Sequence, residues 1–243
     1  MKYFLVGSVI SAVLLYGIAL VYGTAGTTIL PDIAARAREG GTLLSQPLFF
    51  LGVMLLLASF GFKVAAAPFH MWAPDTYEGA PTPVTGLMMS AVKTAGFAGL
   101  VRLLMVALPG DALAQGPTGW VNILGWLSAL SMTLGNIAAL RQPNVKRMLA
   151  YSSISHAGYL LLGVTALGLV GDEARGPVLY YLLAYTVTTV GSMAVVGWVS
   201  GGDVASERLR LDEWAGLAQR KPAAALAMTL FLLSLAGFPP TGG

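Results

Sequence analysis

"FGFKVAAAPFHMWAPDTYEGAPTPV", residues 60–84, decides how this chain folds. It continues an apolar run that opens at Pro47 and carries on to Ala67, with one charge inside it, Lys63. A lysine in a solvated loop needs no explanation, but one inside an apolar helix sits at or near hydrocarbon. Five residues later comes Pro68. Proline lacks an N–H and its ring clashes with the carbonyl four residues earlier, so a helix running through this stretch loses the bond to the Val64 carbonyl and opens there. An opened helix is tolerated in lipid only where protein or water satisfies the freed backbone. The stretch therefore predicts a broken helix, with Lys63 one turn from the break and His70 two residues beyond it lining a hydrated pocket.

The rest of the chain agrees with a membrane setting. Of its 243 residues 56% are hydrophobic and 10% charged, and the mean hydropathy is +0.73, whereas soluble domains carry about 25% charged residues. With no cysteine there is no disulfide, thiolate-held zinc or iron-sulfur cluster on this chain, and two histidines do not make a multi-ligand metal site. A net charge of +3, spread unevenly between loops, does not suggest nucleic acid.

Seven apolar segments of helix length follow one another: 3–22, 47–72 with its internal break, 83–108, 119–140, 148–170, 177–200 and 224 to the end. About 20 apolar residues make one crossing, and none of the segments alternates as a barrel strand would. The predicted fold is all-α and polytopic, one transmembrane domain over residues 1–243. Residues 24–46 form a loop outside the membrane. Within it "TTILPDIAARAREGG" sets Ile29, Ile33 and Ala37 at helical spacing opposite Asp32, Arg36 and Glu39, the pattern of a short interfacial helix, with a plain loop as the alternative. Counting Lys and Arg near the span ends gives eight on the N-terminal side, among them Arg141, Lys146 and Arg147, against about four on the other. The positive-inside rule makes the N-terminal side, and with it residues 201–222, cytoplasmic. The bare apolar ends at Met1 and Gly243 read as those of an internal fragment.

Lys93, about ten residues from either end of its segment, lies near mid-membrane beyond snorkelling reach of the surface. A charged lysine at the bilayer centre costs about 2.5–3.5 kcal/mol on insertion scales, and desolvation disfavours the charged form of an amine, so a row of such lysines can pass a proton along. A buried ion pair with an acid elsewhere is the structural alternative. Ala91, Ala95 and Gly99 form a small-residue stripe that admits a neighbouring helix. Arg102, near a span end, reads as a snorkelling anchor. His156 lies in "YSSISHAGYLLLG" beside Tyr151, Ser152, Ser153 and Ser155, a polar patch that suggests a hydrated path. Pro239 and Pro240 interrupt the last apolar run as Pro68 interrupts the second, and paired broken helices mark inverted-repeat transporters.

"APFHMWAPDTYEGAPTPVTGLMMSAVKTAGF", "NVKRMLAYSSISHAGYLLLG", "KYFLVGSVISAVLLYGIALVYG" and "LSLAGFPPTGG" together resemble, over essentially the whole chain, the antiporter-like subunit N family of bacterial NADH-quinone oxidoreductase, respiratory complex I. Mrp-type antiporter and membrane-bound hydrogenase subunits share the outline less closely. The resemblance implies a fourteen-helix inner-membrane subunit of two inverted repeats, of which this chain covers roughly helices six to twelve. It implies proton carriage by Lys63 and Lys93, with His70 and Lys2 as relay or tuning groups and His156 with Tyr151 toward the second half-channel. The family's glutamate and its second-half lysine would lie beyond the two ends. NADH, FMN, iron-sulfur clusters and quinone would belong to partner subunits, leaving this chain in the lipid bilayer with the other membrane subunits and protons, without a redox site of its own. Thr76 and Glu78 depart from the family's more usual Val and Gln, adding a carboxylate. Four rivals remain: a cation/proton antiporter subunit, a membrane-bound hydrogenase subunit, a non-pumping scaffold, and a haem carrier ligated by His70 and His156.

Overall fold

A computed structural model describes residues 2–38, 43, 46–108, 119–201 and 207–238. The chain enters as α1 (Lys2–Ala25). A short α2 (Leu30–Arg38) turns Ile33, Ala34 and Ala37 inward and leaves Ile29 exposed. Then comes α3 (Pro47–Lys63), with proline in its first turn, where the missing N–H costs nothing. After a break, α4 (Ala73–Gly79) resumes the rod. The next rod runs from Thr82 to Ala107. It comprises α5 (Thr82–Leu87), a π-helical turn over Met88–Val92, α6 (Lys93–Arg102) and a second π turn over Leu103–Ala107. Three long helices follow, α7 (Trp120–Ala139), α8 (Val145–Val170) and α9 (Arg175–Ser200). Finally α10 (Leu217–Arg220) is a single turn before α11 (Pro222–Leu235). Asn144 caps α8 by accepting from the Arg147 N–H at 3.1 Å, and Gly201 closes α9 in the left-handed region at φ 80°.

Four helical runs among the described residues are long and apolar enough to cross a membrane. The longest, Val145–Ser200, is α8 and α9 joined by a 3-10 turn at Gly171–Ala174. Outward-facing Leu5, Val9, Trp126 and Tyr180 show what these rods present to their surroundings: apolar side chains all round, as a helix in lipid or between other helices requires.

Packing between rods rests on close backbone approach. A Cβ at Gly52 of α3 would stand 3.1 Å from the Gly17 carbonyl oxygen of α1. On the α7–α8 hairpin, a Cβ at Gly158 would stand 2.9 Å from both the Met132 nitrogen and the Ser128 oxygen, and Ser128 Oγ donates to the Gly158 carbonyl at 2.7 Å. Apolar tails give no hydrophobic drive between helices inside a bilayer, so such small-residue contacts and the van der Waals surface they allow hold the bundle. The expected stripe of Ala91, Ala95 and Gly99 is corrected in part: Ala91 and Ala95 are exposed, and Gly96 and Gly99 make the approach, against Val64 and Phe60 of α3.

One rim of the bundle gathers the charges. Arg147 donates to Asp75 at 2.7 Å and to Glu78 at 2.9 Å, and Lys2 reaches Asp75 from α1. The segment after α9 docks on the same rim through an antiparallel bridge, with Val145 N–H to Leu209 at 2.7 Å and Leu211 N–H to Pro143 at 2.9 Å. Beneath it Lys146 donates to Glu207, the two side chains 1% and 9% exposed, while the N–H and hydroxyl of Thr82 donate to the other oxygen of that carboxylate.

Candidate functional site

The site starts at the break. Helix α3 stops at Lys63 and α4 starts at Ala73, and between them Ala65 takes φ 57°, a left-handed conformation that costs a residue with a side chain about 1 kcal/mol. The Ala67–Pro68 peptide is cis. Val64 to Ala67 are fully buried, so every freed backbone group needs a partner. Ala66 N–H reaches back to the Gly61 carbonyl at 2.8 Å, Ala67 N–H donates to Ser131 Oγ of α7 at 2.8 Å, and Trp72 Nε1 donates to the Phe62 carbonyl at 3.1 Å. These bonds, one to a backbone carbonyl and two through the side chains of Ser131 of α7 and Trp72, let a helix stay open in an apolar surround.

Lys63 ends α3 facing a groove of about 630 Å³, lined among others by Tyr3, Ser8, Ser11, Trp72 and Val92. His70 does not line that groove, and its buried Nδ1 has no hydrogen-bond partner. In an unbroken helix residues 63 and 70 would share a face, seven positions apart. The turn through Ala65 to Trp72 removes that alignment. Lys2 sits at the charged rim, held by Asp75. Pro239 and Pro240 lie outside the described residues.

Lys93 stands in the middle of its rod, directly after the first π turn, 1% exposed. Such turns recur at functional sites because they displace the side chains around them. Its Nζ donates to the Ser153 carbonyl at 2.7 Å and to Ser153 Oγ at 3.0 Å. Both acceptors are neutral, and no carboxylate pairs with it among the described residues. A Cβ at Gly96, one turn on, would stand 3.9 Å from Lys63 Cβ and 3.1 Å from Val64, so α6 packs closely on the end of α3.

One turn along α8 from Ser153 is His156. Its Nδ1 shares a 2.6 Å hydrogen bond with Tyr181 Oη, and its ring lies 5.3 Å from that of Tyr185 and 5.6 Å from that of Tyr159. Tyr151, expected beside it, is elsewhere: it packs on the apolar cluster around Trp72 and Leu149, near Arg147. Five residues turn a helix through about 140°, so Tyr151 and His156 leave α8 on different faces. The companions of His156 come instead from α9, in a segment where the sequence reading singled out no residue. Tyr181, Tyr185, Thr188 and Thr189 recur there with the spacing of one helical face, which is the signal that would have found them.

The arrangement thus sets a desolvated lysine against neutral oxygens, with a histidine–tyrosine group one turn away, between the leaves of an α-helical bundle with a broken helix. Ionisable residues inside a membrane bundle, and broken helices beside them, mark ion and substrate pathways. The chain belongs to the NADH:quinone oxidoreductase/Mrp antiporter transmembrane family, whose model it matches over residues 1–243. It is 48% identical over 244 residues to NADH-quinone oxidoreductase subunit N 1 of Sorangium cellulosum and 46% identical over 245 residues to subunit N of Heliobacterium modesticaldum, in each case across 100% of this chain and 48% of the relative. The chain spans about half the length of the curated relatives it matches. Among solved structures it is similar to a chain of respiratory complex I from Thermus thermophilus with bound aureothin, at a TM-score of 0.78 and 40% identity, covering 100% of this chain and 48% of that one. It is also similar to a chain of the Mrp complex from Dietzia, at a TM-score of 0.82 and 25% identity, covering 98% of this chain and 41% of that one.

Proposed function

We propose that this chain carries protons across a bacterial inner membrane as part of the subunit N of an NADH-quinone oxidoreductase, driven by electron transfer on other subunits. The observation that supports this most is Lys93: a fully enclosed amine at mid-span, hydrogen-bonded among the described residues to Ser153 alone. A lysine kept only for structure would be expected opposite a carboxylate, since an uncompensated buried charge costs several kcal/mol. A lysine whose work is to gain and lose a proton needs acceptors that tolerate both forms, and a serine hydroxyl and a carbonyl do so.

In this reading Lys63 receives or delivers protons at the break, Lys93 holds one at mid-span, and His156 leads toward the second half of the subunit. His70 and Lys2 tune the entry, and Tyr151 stands with the rim charges. The redox groups belong to partner subunits, so coupling arrives as a change of charge or shape. The charged rim faces the cytoplasm. A cation/proton antiporter subunit is the second reading: the Mrp chain matches the fold at a TM-score of 0.82, while the higher identity to the complex I chain, 40%, favours the first. The full-length chain carrying Lys93→Ala, assembled with its partner subunits in vesicles, tests the proposal. NADH-driven proton flux should fall, and should not depend on sodium. Unchanged flux would make the chain a scaffold.

A further inference from the structure

Tyr185 of α9 lines two small cavities. The first, about 10 Å³, is lined by Ser152, Ser153, Thr189, Ser192 and Tyr185 together with apolar side chains. The second, also about 10 Å³, is lined by His156, Tyr181, Thr188, Ser234 and Tyr185 with Ala184 and Leu235. Each is at the threshold for one water molecule and has the polar partners a water needs. Ser153, in the first, holds Lys93. His156 is in the second. The Tyr185 hydroxyl is buried and faces Ser153 and Thr189, yet makes no hydrogen bond of normal geometry. A buried hydroxyl normally has a hydrogen-bond partner, and a water in each cavity would supply one.

We propose that the Tyr185 hydroxyl is the relay between Lys93 and His156, bridged by one water on each side. This rests on the proton-carrying reading of Lys93. A proton leaving Lys93 passes to the first water; that water gives up a proton to Tyr185 Oη as Tyr185 gives its own to the second water, which protonates His156. At each hop one O–H or N–H bond breaks as another forms. Lys93 ends as the neutral amine, His156 as the imidazolium, and Tyr185 and both waters are unchanged, with no oxidant or reductant consumed. Tyr185 and Leu235 line both cavities, and of the two only Tyr185 carries a group that can pass a proton.

Two substitutions in the full-length, assembled complex separate a relay from a packing role, with flux normalised to assembled subunit. Tyr185→Phe keeps the ring and removes the hydroxyl. Tyr185→Ser removes the ring, keeps a hydroxyl and leaves room for more water. A relay predicts that Phe slows the local transfer on the order of a hundredfold, the usual cost of losing a positioned proton-transfer group, without lowering the melting temperature. Ser should retain more flux than Phe, and the Phe variant should show a larger H2O/D2O rate ratio than wild type. A packing role predicts the reverse order, with Phe near wild type and Ser impaired, and that order would overturn the proposal. Lys93→Ala in the same assay distinguishes the two levels. If it loses flux while Tyr185→Phe does not, the relay fails and the carrier stands; if neither loses flux, the carrier reading fails as well.

Discussion

Glu207 carries opposing pressures at a single carboxylate. Burial would raise its pKa, but the hydrogen bonds from Lys146 and Thr82 outweigh that and hold it below the usual range. A group whose pKa is lowered on folding stabilises the fold above its unfolded value, about 4.3 for glutamate, and that stabilisation is lost as pH falls through the folded value. Glu207→Gln should therefore cost on the order of 3 kcal/mol at pH 7, because it leaves Lys146 charged and buried without a counter-charge. The penalty should shrink as pH drops below about 4.3 and vanish once wild-type Glu207 is itself protonated. Melting curves of the detergent-solubilised full-length protein from pH 7 to pH 3.5 check this, and a pH-independent gap would contradict it. Lysines in apolar runs were legible in the sequence because their cost is independent of which helices adjoin. The partners of Lys146 and Lys93 were not legible, since Glu207 and Ser153 lie 61 and 60 residues away and meet them only after the helices pack.

At the scale of elements, the break in the second rod was readable because proline acts through a local steric rule, and the structure ends α3 and begins α4 on either side of Pro68. The boundaries of the long helices followed from apolar run length for the same reason. Which faces meet was harder to read. The offset of Tyr151 from His156 follows from 100° per residue and was available in advance, whereas the seat of His156 among Tyr159, Tyr181 and Tyr185 depends on the hairpin made by α8 and α9. The close α7–α8 approach gives a direct test. Gly158→Ala would press a methyl against backbone atoms of Ser128 and Met132 at 2.9 Å, and backbone cannot rotate away as a side chain can. A loss of about 1–3 kcal/mol is expected, read as a lower melting temperature. Gly176→Ala, where a Cβ meets nothing within 4 Å, should leave stability unchanged.

For the whole molecule, the charged rim and the opposite end define two faces that cysteine labelling can tell apart. Asp212, its side chain 67% exposed, lies in the segment docked on the charged rim; Asp172, 83% exposed, lies at the α8–α9 turn. Glu207, in the same segment, would be a poor reporter because its side chain is only 9% exposed. In intact cells a membrane-impermeant thiol reagent should label a cysteine at position 172 and spare one at 212, as the excess of Lys and Arg on the 212 side requires. Labelling of both from outside would mean that the two ends share a face. Whether Lys93 works by releasing its proton is decided by Lys93→Arg in the assembled complex. Guanidinium keeps the charge and stays protonated at any working pH. Proton flux per NADH oxidised should then be close to that of Lys93→Ala; flux near wild type in the arginine variant would show that a fixed charge suffices and that Lys93 need not release its proton.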